Sequence, residues 1–166
     1  METPGQAAFP CLQPALYMRV CVPLFLIHVG EHSPQGFIRS VDGFKPYINA
    51  TITFGSDWLS PGSLDLLPRM NMIGLAENHD GIPFAFRFDG IVAMAKDNAA
   101  TPTPNICGVA PKAAPFGYST TNHTFSTGHE SFQEMLNYSY VGHSRYTVSG
   151  NGILVECFVS RLTHIY

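Results

Sequence analysis

The chain has 166 residues, one domain's length and enough to bury a proper core. Hydrophobic residues make up 45% and charged residues 13%, about half the charged share usual for soluble domains. A formal net charge of −3 leaves no basic footprint, which argues against nucleic acid as a partner.

Taken in chain order, residues 1–16 are rich in Pro, Gly and Ala and read as an irregular arm, with one domain over 17–166. Met1-Glu2-Thr3-Pro4-Gly5 lacks the basic and apolar regions of a signal peptide, so a secretory route requires a leader outside this sequence. The most apolar stretch, residues 20–29, is far too short for a membrane span and carries Pro23 and His28, so it reads as a core strand. Strands are predicted over 17–29, 36–40, 47–54, 69–77, 83–91, 139–148 and 152–162, set apart by turn clusters such as Asn78-His79-Asp80-Gly81. Asp80-Gly81 and Asn151-Gly152 are hairpin signals, because Asn or Asp before Gly readily takes positive φ. Residues 97–115, rich in Pro, Ala and Thr, read as a long loop. Residues 127–137 alone read as helical, with Phe132, Met135 and Leu136 on one face and Glu130 and Glu134 toward the other. The expected fold is mainly β, a single-domain antiparallel β-barrel of about seven to nine strands with one short helix.

Three glycosylation sequons, at Asn49, Asn122 and Asn137, exceed the chance expectation of about one and point to the secretory pathway or the extracellular space. If Asn49 carries a glycan it faces solvent, and alternation then turns Ile48, Ala50, Ile52 and Phe54 inward. Four cysteines suit one or two disulfides. Three connectivities are open; Cys11 with Cys107 is preferred because both fall in irregular segments, while Cys21 and Cys157 fall in the first and last strands.

No nucleophile elbow, phosphate loop or Cys-x-x-Cys occurs, and no metal or cofactor is expected. Gly55-Ser56-Asp57-Trp58 joins a strand end, a carboxylate and the single tryptophan. Asp57 is a candidate acid or base if aromatic neighbours desolvate it, and otherwise a turn residue accepting backbone hydrogen bonds. Trp58 is a pocket wall or a core plug. Phe84, Phe86 and Phe88 share one strand face and read first as core, second as ligand contacts, together with Phe54, Tyr118 and Phe132. The polar strand around 140–146 offers Tyr140, Ser144 and Tyr146 on one face and His143 and Arg145 on the other. Asn71, between Met70 and Met72, would need a partner if it points inward.

Gly55-Ser56-Asp57-Trp58, the strand leading into Asp80-Gly81, Gly90, the Phe132-x-x-x-Leu136-Asn137 segment and Val141-Gly142 together resemble one family of small barrel proteins. It is catalogued as domain of unknown function 3237, and the likeness spans residues 17–162. The sequons, cysteines and Pro-rich segments depart from its simpler members and are similar to a fungal branch, the hetero-Diels–Alderases of tropolonic sesquiterpene biosynthesis. That resemblance implies dehydration of a hydroxylated tropolone precursor to a quinone methide, which then adds across an alkene of an apolar terpene. Such chemistry needs an aromatic cavity that fixes two partners in near-attack geometry, and a few polar groups on the tropolone oxygens. Asp57, Asn71, Tyr140 and Arg145 are the residues expected to act, Trp58 and the phenylalanines to line the cavity. A non-enzymatic carrier of apolar molecules, and an isomerase or dehydratase of one secondary metabolite, are the alternatives. Low surface charge favours a homodimer.

Overall fold

The structure is a computed structural model that describes residues 10–23, 35–60, 67–92, 116–117, 119–149 and 152–163. Eight strands run in chain order: β1 (Cys11–Pro23), β2 (Gln35–Ser40), β3 (Asn49–Ser60), β4 (Arg69–Asn78), β5 (Pro83–Val92), β6 (Ser119–Ser126), β7 (Tyr140–Ser149) and β8 (Gly152–Thr163). Each pairs antiparallel with the next, and β8 returns to β1, so the sheet is a closed barrel without a free edge. A 3-10 helix, Glu130–Asn137, joins β6 to β7.

Alternation builds the interior. On β4 the even positions Met70, Met72, Ala76 and Asn78 are buried and the odd ones face outward. Phe84, Phe86 and Phe88 of β5 fill the lumen, each 3% exposed or less. The Phe86 ring lies over Gly74, where a Cβ would collide with it; a bare backbone there is what lets so large a ring enter a narrow barrel. Phe132 and Met135 are the buried face of the 3-10 helix and cover one end, the Phe132 ring meeting Phe84 edge-on at 5.7 Å. Asn78, at the same end, accepts from the Asn49 amide and donates to Asp80, which holds the β4–β5 hairpin predicted at Asp80-Gly81.

Three expectations change. The arm expected over 1–16 is β1 from Cys11 onward, and its residues 1–9 lie outside the described ones, as do 24–29 of the first predicted strand and the loop at 97–115. Strand β6 was not expected at all: Ser119–Ser126 reads STTNHTFS, so polar that only its place between β5 and β7 makes it a strand. The segment 127–137 does form a helix, of the tighter 3-10 type.

The largest correction is in β3. Its register slips between Ile52, opposite Ala76, and Phe54, opposite Leu75, so Thr53 is an extra residue and a bulge. Beyond a bulge the two faces exchange. Ala50 and Ile52 point inward as expected, with Asn49 on the outer face. Phe54 points outward at 49% exposure, and Trp58 follows it at 56%.

Candidate functional site

The same bulge that turns Trp58 out turns Asp57 in. Asp57 stands opposite Met72, which is 1% exposed, so the carboxylate shares the inner face. Its Oδ1 is buried without a hydrogen-bond partner. Burial pushes the carboxyl up to about 6 from an ordinary 3.8, and the Trp58 backbone N–H, which favours the charged form, does not offset it. Asp57 lies toward the barrel end opposite the 3-10 helix, three residues before β3 finishes at Ser60. Polar groups reach the same region from across the lumen: the Tyr146 hydroxyl of β7 lies 3.0 Å from Ser119 Oγ and 3.2 Å from Met70 Sδ. Met70 is the inward neighbour of Met72 on β4, one step along from the residue that faces Asp57.

The wall made by β6, β7 and β8 is polar too, but its groups serve one another. His123 Nε2 is 2.8 Å from Thr121 Oγ1 and 3.6 Å from Cys157 Sγ. Ser144 and Thr121 both hydrogen-bond the Cys157 thiol, yet burial still raises it. Burial pushes His123 down to about 3, so the ring is neutral at physiological pH. The three side chains converge over Gly142, where a Cβ would collide with His123 Nε2 and lie 2.7 Å from both Cys157 Sγ and Thr121 Oγ1. Among the described residues, no group of three or more His, Cys, Asp or Glu is arranged to hold a metal ion.

The other residues singled out in the sequence are dispersed. Tyr140 is inside, 2% exposed. Arg145 is on the outer face: it binds Glu156 at 2.7 Å and stacks over Phe116 at 4.5 Å, and Tyr17 donates to the same Glu156 at 2.6 Å. Arg145 and then Tyr17 hold the Glu156 carboxyl below its usual range, so this ion pair knits β1, β7 and β8 together from outside. Asn71 stands opposite Trp58 on the outer face, because Met70 and Met72 take the inward positions beside it. Phe54 and Trp58 do not line the interior, for the bulge reason already given. Tyr118 and Cys107 lie outside the described residues. Cys11 carries a free thiol, as do Cys21 and Cys157. Cys157 faces the lumen opposite Met18 while Cys21 is exposed opposite Leu154, so adjacency of the first and last strands does not bring those two sulfurs together. Asn122 and Asn137 are exposed and Asn49 is partly so, its side chain accepting from Arg39.

A family model described as "Protein of unknown function (DUF3237)" matches residues 10–162. The chain belongs to that family. Solved structures similar to this DUF3237 barrel include a protein of unknown function from Clostridium acetobutylicum (TM-score 0.59, 15% identity, covering 93% of this chain and 98% of that one). A conserved protein of unknown function from Rhodopseudomonas palustris gives 0.58 at 16% identity, covering 93% and 99%. A β-barrel-like protein from Acinetobacter baumannii gives 0.54 at 14% identity, covering 96% and 99%. At these identities the likeness establishes the barrel alone. No curated protein matches the chain, and among the described residues no helix is long and apolar enough to cross a membrane.

Sequence reasoning passed over the Thr121–His123–Ser144–Cys157 cluster, although a signal for half of it existed in this DUF3237 chain. An outward Asn122, argued as Asn49 was, turns Thr121 and His123 inward. The missing step was recognising 119–126 as a strand.

Proposed function

We propose that this barrel is a cofactor-independent enzyme acting on an apolar, oxygen-bearing small molecule, with Asp57 as its proton-transfer group. The observation that carries this is the inward Asp57, pushed up to about 6 with Oδ1 buried and unpartnered. A carboxyl that is half protonated at about pH 6 serves as an acid or a base, and its Oδ1 has no protein partner to compete with a substrate. A carrier of apolar molecules has no use for such a group.

The finer reading is the hetero-Diels–Alder reaction of tropolonic sesquiterpene biosynthesis. Protonated Asp57 gives its proton to the hydroxyl of a hydroxylated tropolone precursor, and that oxygen leaves as water. The tropolone O–H then gives its proton to the Asp57 carboxylate, which restores the acid form, and the quinone methide results. Addition of its C=C–C=O unit to a terpene alkene then forms one C–C and one C–O bond with no further proton change. Phe84, Phe86 and Phe88 supply apolar wall, and Tyr146 with Ser119 supplies hydrogen bonds to ring oxygens. Secretion, glycosylation and dimerisation belong to the same proposal and rest on the sequons and the low surface charge.

The test is cycloadduct formation from the hydroxylated precursor and a cyclic terpene alkene. The protein is expected to raise the rate and fix the stereochemistry, and Asp57→Asn to slow the dehydration. Unchanged rate and stereochemistry on adding protein would overturn the pericyclase reading. Faster dehydration with unselective cycloaddition would leave a dehydratase that uses the same Asp57.

A further inference from the structure

The outward positions of β4 are Arg69, Asn71, Ile73, Leu75 and Glu77. On β3, Phe54 stands opposite Leu75, Ser56 opposite Ile73 and Trp58 opposite Asn71. On β5, Arg87 stands opposite Ile73 and Ile91 opposite Arg69. Phe54, Trp58, Ile73, Leu75 and Ile91 thus share one outer face, and their exposure runs from 40% at Ile91 to 56% at Trp58. Large apolar side chains carry roughly 150–250 Å² each, so these five leave on the order of 450 Å² of apolar surface in water. A patch of that size on a single chain is often functional. A standard protein interface takes about 800 Å² from each partner, a little over half of it apolar, which is what this face offers.

The charges select the occupant. Arg69 and Glu77 lie at equal distances either side of Ile73 on the same strand face, and neither forms an ion pair among the described residues. A second copy can be laid on this face by a two-fold axis that runs between the two sheets, across the strands, at the level of Ile73. Its β4 is then antiparallel to this one, Ile73 meets the partner's Ile73, and Arg69 meets the partner's Glu77. The same rotation lays Trp58 over the partner's Phe54 and Ile91 over the partner's Pro83. Arg87 comes level with the partner's Arg87, and the partner's Asp89, over Ala85, offsets that repulsion. An axis along the strands would instead stack Arg69 on the partner's Arg69 and Glu77 on the partner's Glu77, and like charges repel. The sequon asparagines flank the face without occupying it: the Asn49 side chain turns to Arg39 on β2, and Asn122 lies beyond β5, on β6.

We propose that the outer face of β3, β4 and β5 is a two-fold interface between two copies of this chain, with Ile73 at the axis and Arg69 paired to the partner's Glu77. The inference deepens the dimerisation named above and rests on it. The barrel closes within one chain, so the interface joins two finished protomers and is not needed to fold either.

Sedimentation velocity over a concentration series tests it, on the wild-type protein, Arg69→Glu, Glu77→Arg, the double variant carrying both, and Ile73→Asp. The wild type is expected to pass from monomer to dimer as concentration rises. Each single reversal should weaken the dimer at least tenfold, and Ile73→Asp should leave only monomer, because two carboxylates then meet at the axis. The double variant exchanges the two charges across the interface and should return to within about threefold of wild type. All four variants, diluted to monomer, should melt at the wild-type temperature. A wild-type monomer at every concentration overturns the proposal and the dimerisation it rests on, and leaves the face to another partner. A dimer indifferent to Ile73→Asp overturns this face alone, and a double variant as weak as the singles overturns the pairing of Arg69 with Glu77. None of these outcomes bears on Asp57, whose role is read from turnover.

Discussion

Two inner walls of this barrel carry buried titratable groups, and burial has moved them in opposite directions. On the β6–β8 wall His123 is pushed down to about 3, and Thr121 and Cys157 sit on its Nε2. On the β3 wall Asp57 is pushed up to about 6, and its Oδ1 has no partner. The common cause is desolvation; the difference lies in what the neighbours supply. A polar cluster whose members satisfy one another fixes strand packing and has little left to offer a ligand. A carboxyl with one oxygen buried and unpartnered costs stability and keeps its reactivity, the combination found where chemistry is done. His123 is the deeper of the two groups, and Asp57 the more available.

The strongest way to break this contrast is Asp57→Asn. On the proposed reaction, loss of the acid should slow the dehydration by about 10²- to 10⁴-fold, with the melting temperature at pH 7.5 unchanged or higher. If the variant keeps the wild-type rate, Asp57 is a structural residue. Wild-type turnover should also decline as pH rises through about 6, because the acid form of Asp57 is lost there.

Gly142→Ala probes the other wall. Its methyl group must displace His123, Cys157 and Thr121 together, at a cost of about 3 kcal/mol. Chemical denaturation would measure this, and a change under about 0.5 kcal/mol would mean the cluster is loosely packed.

The pH dependence of stability separates the walls by sign. His123 has a folded value of about 3 against 6.5, so the unfolded chain binds the extra proton and stability falls as pH drops below about 6.5. Asp57 has a folded value of about 6 against 3.8, so the folded chain holds the extra proton and stability falls as pH rises through that window. Each unit of difference is worth about 1.4 kcal/mol, so the two slopes oppose each other between about pH 4 and 6. Thermal melts in that range should show a falling slope with pH in His123→Gln and a rising one in Asp57→Asn. Parallel profiles in the two variants would contradict the opposed shifts.

Trp58→Ala should have the smallest effect, within about 1 kcal/mol in stability and twofold in rate, because the indole lies on the outer face. A tenfold loss of activity would return Trp58 to the site.

Much of the barrel was legible residue by residue. Phe84, Phe86 and Phe88 alternate with Ala85, Arg87 and Asp89, and an outward Asn49 orients Ala50 and Ile52 correctly; period-two patterning is a local property of any strand with one buried face. Tyr140, Ser144 and Tyr146 were separated from Arg145 by the same rule. What failed was of two kinds. Strand β6 has almost no apolar signal, since its inward Ser119, Thr121 and His123 are polar groups satisfied by partners on β7 and β8. Phe54 and Trp58 were put on the wrong face, because alternation counted through Thr53 fails for everything after it, while Asp57 was named as a candidate acid or base without a face.

The sequence by itself determined that this is a closed-type β fold rich in inward aromatics, and that a carboxylate follows a strand at Gly55-Ser56-Asp57-Trp58. Only the tertiary structure decided which of Asp57 and Trp58 faces the lumen. A bulge is a property of two strands: Thr53 is an extra residue only because Ile52 pairs with Ala76 and Phe54 with Leu75, and no pattern within β3 alone records that slip.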